Sequence, residues 1–409
     1  MYVRRLQLHD FRSWDDVDVV LEPGVTVFVG RNGFGKTNLV EALNYLATLG
    51  SHRVATDQPL IRVGAESASV LATVHNAGRE LTAEIDIVSG RANKARINTS
   101  PCRRPRDLLG ILQSVLFAPE DLALVRGEPG GRRRFVDDLA ILRTPRIAAE
   151  KADYERVLKQ RNALLKTAYA AARRGGADAE SMLSTLDVWD EQLARFGAEL
   201  LAARLEVVSA LQPHLTVAYA SLAPHSRAAT MEYGSALFEE FDGAPAEASV
   251  ADLEAAMLEA LRRSRSREID RGMSLVGPHR DDLDLRLGNE PAKGFASHGE
   301  SWSYALALRL ASLELLRAGG SEPVLLLDDV FAELDTKRRT ALAEVALGTE
   351  QVIVTAAVPE DLPPSLRART FEVSVEGPAD VRVSRLSSAQ GEDAGEPAEP
   401  GDEEPGGES

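Results

Sequence analysis

A glycine-rich run near the N-terminus, Gly30-Arg31-Asn32-Gly33-Phe34-Gly35-Lys36-Thr37 followed by Asn38, has the residue types and spacing of a P-loop. Its glycines let successive backbone N–H groups converge on phosphate oxygens, a concavity that side chains would block. A helix starting at its end adds a partial positive charge. Lys36 is placed to meet the β and γ phosphates, and the Thr37 hydroxyl to ligate Mg²⁺. The run sits where such chemistry requires it, after the buried apolar strand Val25–Val29 and before a helix with Leu39, Val40, Leu43 and Leu46 at helical spacing. Residues 30–38 are therefore the expected ATP-binding segment, with Lys36 also catalytic.

Two downstream segments carry the complementary groups. Val324-Leu325-Leu326-Leu327 reads as a buried strand ending in Asp328-Asp329, a Walker B pattern. Placed beside the P-loop strand, Asp328 would hold Mg²⁺ through water, and Asp329 would orient or deprotonate the attacking water. Adjacent acids after an apolar run also describe a turn opened by Asp, so the pairing with the P-loop carries this reading. Ser297-His298-Gly299-Glu300 precedes a long amphipathic helix. It is an ordinary capping box by spacing, and it also resembles the ABC signature, in which Ser297, Gly299 and Glu300 would face the γ phosphate of ATP held by a second subunit. Phe331-Ala332-Glu333-Leu334-Asp335 looks like the D-loop that follows a Walker B.

The elements that must position these groups come from both ends of the chain. Alternating apolar residues at Val3, Leu6, Leu8 and Phe11, and again at Val17, Val19 and Leu21, predict half-buried strands. Further strands are expected at 69–74, 81–88, 115–117, 283–287 and 352–354. From about Arg146 to Arg267 the pattern changes to long helices, with Arg173 to Asp178 as a glycine-containing break. The fold class is α/β: an ABC-type P-loop head of mixed and antiparallel strands with helices, plus an inserted helical arm. The expected organisation is head 1–145, arm 146–270, head 271–386 and a disordered acidic tail 387–409.

Charge and composition narrow the function classes. The net charge of −16 looks unfavourable for contact with nucleic-acid phosphates, but half of it lies in eight acids between Glu392 and Glu408, a Gly/Pro/Glu-rich stretch with no basic residue. Arginine concentrates at 103–106, at 132–134 and at 262–267, each run more often a solvated face than a binding patch. The single cysteine, Cys102, excludes an internal disulfide. No apolar stretch approaches a membrane span, and Met1 to Asp10 is too charged for a signal peptide, so a cytoplasmic protein without membrane contact is expected.

Several strings taken together resemble one family. Asp10-Phe11-Arg12, the P-loop continuing through Asn38-Leu39-Val40-Glu41-Ala42-Leu43, Phe117-Ala118-Pro119-Glu120-Asp121-Leu122, Arg132-Arg133-Arg134-Phe135-Val136-Asp137, Gly277-Pro278-His279-Arg280-Asp281-Asp282 and Leu326 through Asp335 are similar to the RecF family of bacterial recombination-repair ATPases. The matches run to about Leu386. The resemblance implies a head like those of SMC proteins with a short arm, an ATP-dependent homodimer on single- and double-stranded DNA at gap junctions, and weak DNA-stimulated hydrolysis that releases the dimer. It further implies cooperation with RecR and RecO in loading RecA. The signature departs from the common pattern, with His298 before Gly299. Thr355 stands where many relatives carry a switch histidine, and Glu120 about where a Q-loop glutamine is expected. An ABC transporter subunit and a non-hydrolysing ATP-gated clamp are the alternatives; the long separation of P-loop and signature argues against the first.

Overall fold

The computed structural model describes residues 1–174, 179–240, 247–378 and 382–388. Two six-stranded sheets form the head. The first is antiparallel, ordered β2-β1-β4-β5-β6-β7. It contains β1 (Tyr2–Phe11), β2 (Trp14–Val20), β4 (Ser67–Asn76), β5 (Arg79–Val88), β6 (Lys94–Ile97) and β7 (Ser100–Pro101). Val3 and Leu6 are three residues apart yet share the buried face, because the pairing of β1 with β4 shifts register between Val3 and Arg5.

The second sheet carries the P-loop and the Walker B pattern. Its order is β15-β14-β3-β13-β12-β8, built from β3 (Gly24–Val29), β8 (Ser114–Phe117), β12 (Val324–Asp328), β13 (Gln351–Ala356), β14 (Arg369–Glu376) and β15 (Val383–Ser388). All pairings are parallel except that of β15. Every residue of β12 and β13 is buried, as in parallel strands covered on both faces. The structure departs from the sequence expectation in the placing of the Walker B strand. The strand of Asp328 is not beside the P-loop strand; β13 stands between them, and β3 is flanked by β13 and β14.

The helix after the P-loop, α1 (Lys36–Thr48), contacts β1, β4 and β5 of the first sheet and β8, β12 and β13 of the second. It is sandwiched between the two, which is why Ala42, Tyr45 and Ala47 are buried along with the stripe read from sequence. Two helices, α2 (Leu122–Arg126) and α3 (Pro129–Arg143), lead from β8 into the arm.

The arm consists of α4 (Ile147–Arg174), α5 (Ala179–Leu222) and α6 (Val250–Arg271). At a helical rise of 1.5 Å per residue, α5 is about 66 Å long. The glycines of the expected break lie within 175–178, outside the described residues, as does the tail from 389 onward. The arm is not purely helical. β9 (Ala229–Gly234) lies inside it and pairs along its length with β10 (Asp282–Leu287), which pairs in turn with β11 (Glu290–Pro291). A boundary at 270 therefore cuts through a three-stranded sheet. The short α7 (Ala292–Phe295) leads into α8 (His298–Ala318), which packs on α5, and α9 (Thr336–Leu347) follows β12.

One buried ionic node fixes the three arm helices. Arg161 of α4, fully buried, donates to Asp190 of α5 at 2.6 Å, to Glu268 of α6 at 2.6 Å and to Ser274 at 2.7 Å. Removing the guanidinium leaves buried Glu268 without its cation and Asp190 with Arg265 alone, so Arg161→Ala is expected to cost about 3–5 kcal/mol. Denaturant unfolding measures this; an unchanged midpoint would contradict the node's role. Arginines of the sequence runs are also partly structural. Arg132 donates twice to Asp282 at 2.8 Å, Arg133 and Arg134 donate to the carbonyls of Asp281 and Ser51, and Arg265 pairs with Asp187 and Asp190. Arg103 and Arg104 remain exposed. His279 and Arg280, which have no assigned chemistry, bond to Tyr154 and to the Ser274 carbonyl respectively.

Candidate functional site

The P-loop leaves β3 at Gly30 and turns into α1 through two left-handed glycines, Gly33 at φ 84° and Gly35 at φ 103°. A Cβ on Gly33 would meet open space, so its role is conformational. Gly30 and Gly35 serve a second purpose behind the loop. A Cβ on Gly30 would collide with the Val373 carbonyl oxygen of β14, and one on Gly35 with the hydroxyls of Ser384 and Ser13. The loop is thus seated from the rear by both chain ends. Ser384 of β15 donates to the Phe34 carbonyl at 2.7 Å, the Trp14 indole N–H to the Gly35 carbonyl at 3.1 Å, and the Asn38 amide to Ser13 at 2.8 Å. Glu41, one turn along α1 and fully buried, is held by Arg12 at 2.6 Å and 2.9 Å.

Lys36 is buried, and its ammonium makes only long contacts: 3.5 Å to the Arg31 carbonyl, 3.4 Å to the Asn32 side chain and 3.8 Å to Asp329. A buried cation so loosely held is well suited to accept phosphate oxygens. Despite the intervening strand, the Walker B acids do reach the P-loop. The Thr37 hydroxyl donates to Asp328 Oδ1 at 2.9 Å, and Thr355, at the end of β13, donates to the same oxygen at 2.7 Å. The Thr355 hydroxyl also accepts the Asp329 N–H at 2.9 Å. Thr355, noticeable in the sequence only as a missing histidine, therefore locks both acids in place.

Asp329 adopts φ 48°, a left-handed conformation uncommon outside glycine but tolerated by Asp and Asn. This turn aims its carboxylate at Lys36 and leaves Oδ1 buried without a hydrogen-bond partner. Such an orphaned acceptor is unusual unless a proton-bearing ligand completes it. Thr37 and Asp328 are hard oxygen donors of the kind Mg²⁺ takes, so the residues fit that ion. Among the described residues no group of three or more His, Cys, Asp or Glu side chains is placed to hold a metal by itself, so a cation here would rely on nucleotide oxygens.

Burial lifts the Asp328 carboxyl from 3.8 to about 6, reinforced by the charges of Asp329 and Glu120. A raised carboxyl value means that the folded chain holds this proton more tightly than the unfolded one. The ionised form thus penalises folding fully above about pH 6, and the penalty vanishes as pH falls toward 4. Asp328→Asn, whose amide oxygen still accepts from Thr37 and Thr355, is expected to stabilise the nucleotide-free protein by about 3 kcal/mol at pH 7, shrinking toward zero near pH 4. Thermal unfolding at a series of pH values checks this, and a gain independent of pH would show that Asp328 is not the titrating group.

The remaining candidate residues form a second cluster. Ser297 caps α8, accepting the Glu300 N–H at 3.2 Å, while Glu300 accepts the Ser297 N–H at 2.9 Å. The capping box is present, and it leaves Ser297 and His298 exposed at the helix start. Asp335 caps α9 by accepting the Arg338 N–H at 3.0 Å. Among the described residues, no hydrogen bond or ion pair of Ser297, Gly299, Glu300 or Asp335 reaches the P-loop. The structure thus brings Lys36 and Thr37 together with Asp328 and Asp329, and gives Ser297, Gly299, Glu300 and Asp335 no hydrogen bond or ion pair to them. Ser13, Trp14, Ser384 and Arg338 were not legible as site residues, because their partners lie far away in sequence.

Known proteins share this fold. Residues 2–365 match the family described as RecF/RecN/SMC N terminal domain. The DNA replication and repair protein RecF of Rhodococcus erythropolis is 60% identical over 396 residues, spanning 94% of this chain and 97% of that protein. Among solved structures, the recombination mediator protein RecF with ATP, from the RecFOR pathway, superposes with a TM-score of 0.80 at 24% identity, covering 91% of this chain and 95% of that one. The Smc head domain of Pyrococcus furiosus, bound to the C-terminal domain of ScpA, gives 0.51 at 17% identity over 95% and 96% of the two chains.

Proposed function

The chain belongs to the RecF branch of the RecF/RecN/SMC family, and from that premise we propose that it is an ATP-dependent DNA-binding protein of replication and recombinational repair. Two subunits close on DNA around shared Mg·ATP, each nucleotide lying between one subunit's P-loop and the other's signature. Hydrolysis releases the dimer. Lys36 and the P-loop amides bind phosphate, Thr37 and Asp328 hold the cation, and Asp329 orients the attacking water. In the repair pathway the dimer acts with RecR and RecO to load RecA at single-strand gaps. No helix among the described residues is long and apolar enough to cross a membrane; what disfavours a transporter-type ATPase subunit is the long arm inserted between P-loop and signature.

The observation that carries the reading is the split of the site. The exposed, serine-capped start of α8 makes no bond to its own P-loop, while the Lys36–Asp329 centre contains an orphaned acceptor. A half-site of each kind on one chain calls for a second copy to complete it. Sedimentation in Mg·ATP, in Mg·ADP and without nucleotide, each with and without gapped duplex DNA, tests it. ATP-specific dimers that associate with DNA are expected; a monomer under every condition removes the shared-nucleotide mechanism.

A further inference from the structure

In the shared-nucleotide reading, Ser297, Gly299 and Asp335 act on the partner's ATP, so the two segments that carry them must be presented in a fixed relation. One side chain joins them. Arg338, in the first turn of α9, forms an ion pair with Asp335. The same guanidinium donates through Nε to Ser303 of α8 at 2.8 Å and through Nη2 to the Gly299 carbonyl at 3.1 Å. Ser303 is fully buried, one turn beyond Gly299 on the same helix. A Cβ on Gly299 would stand 3.4 Å from Nη2, an ordinary contact, so the guanidinium lies directly over the signature glycine.

We propose that Arg338 is a positioning residue that binds signature and D-loop into one rigid half-site acting on the partner's nucleotide, an inference that rests on the shared-nucleotide reading. The planar fork of arginine matches the task. It serves three acceptors on two elements, the first turns of α8 and the cap of α9, and a lysine ammonium cannot span them in the same way. All of Arg338's side-chain bonds go to Gly299, Ser303 and Asp335, and none to the P-loop of its own chain. Its loss therefore harms the neighbour's site and spares its own.

This asymmetry sets the test. Arg338→Ala and Arg338→Lys are expected to bind ATP as the unaltered protein does, to lose most ATP-dependent dimer in sedimentation, and to hydrolyse ATP roughly 10- to 100-fold more slowly. Lysine keeps the aliphatic stem, so a folding defect confined to the alanine variant is recognised. Mixing either variant with Lys36→Ala then creates heterodimers having one intact composite site, the P-loop from the Arg338 variant and the signature from the Lys36 variant. Labelled Arg338 variant is expected to sediment as a dimer in the mixture, and turnover to rise several-fold above the mean of the separate proteins. A parallel mixture of Ser297→Arg with Lys36→Ala isolates the underlying reading. If that control complements and the Arg338 mixture does not, Arg338 acts on its own site and the proposal is overturned. If neither complements, the shared-nucleotide reading falls and the proposal with it.

Discussion

Asp329→Asn is expected to lower steady-state ATP turnover by roughly 10²–10⁴-fold while leaving ATP binding intact and lengthening the life of the ATP-bound dimer. The substitution is close to isosteric, and asparagine accepts the left-handed backbone at φ 48° as readily as aspartate, so the turn after β12 keeps its shape. The Thr355 bond to the residue 329 N–H is a backbone bond and survives. What disappears is the negative charge facing Lys36 and the basic oxygen buried without a partner. Phosphate release in single and multiple turnovers, alongside retention of labelled nucleotide, separates chemistry from binding. Undiminished hydrolysis would remove Asp329 as the group that activates water.

The second large effect concerns association. Ser297→Arg is expected to abolish ATP-dependent dimerisation, with monomer affinity for ATP unchanged within about twofold, because Ser297 makes no contact with its own P-loop. Ser297→Ala provides the scale. It removes only the cap, worth about 1 kcal/mol, and is expected to dimerise with modest weakening. The arginine adds bulk at an exposed position where the start of α8 must approach a triphosphate. Sedimentation of both variants in Mg·ATP decides the matter: an arginine variant that dimerises like the alanine one would refute the signature assignment.

What was legible in the sequence is what is local. Val25–Val29, the P-loop and the start of α1 are contiguous, and their chemistry follows from spacing alone. Val324–Leu327 and the two acids after it are equally self-contained. The place of β13 between those strands was not legible, since buried parallel strands carry no mark of their neighbours. β9 escaped notice because Ala-Thr-Met-Glu-Tyr-Gly lacks the β-branched density of a strand and lies among long helices. The half-site made by Gly299, Asp335 and Arg338 and the seating of the P-loop by Ser384 are contacts over long sequence distances, which composition and periodicity do not encode.

The position of β3 also constrains synthesis. Its hydrogen-bonding neighbours, β13 and β14, are among the last elements made, and β15 closes behind the loop later still. While the ribosome is still translating the arm, the strand Val25–Val29 has an apolar surface and two unpaired edges, the condition that favours misassociation and chaperone capture. A chain truncated at residue 350 thus bears every residue of the glycine run but neither of the strands that flank β3.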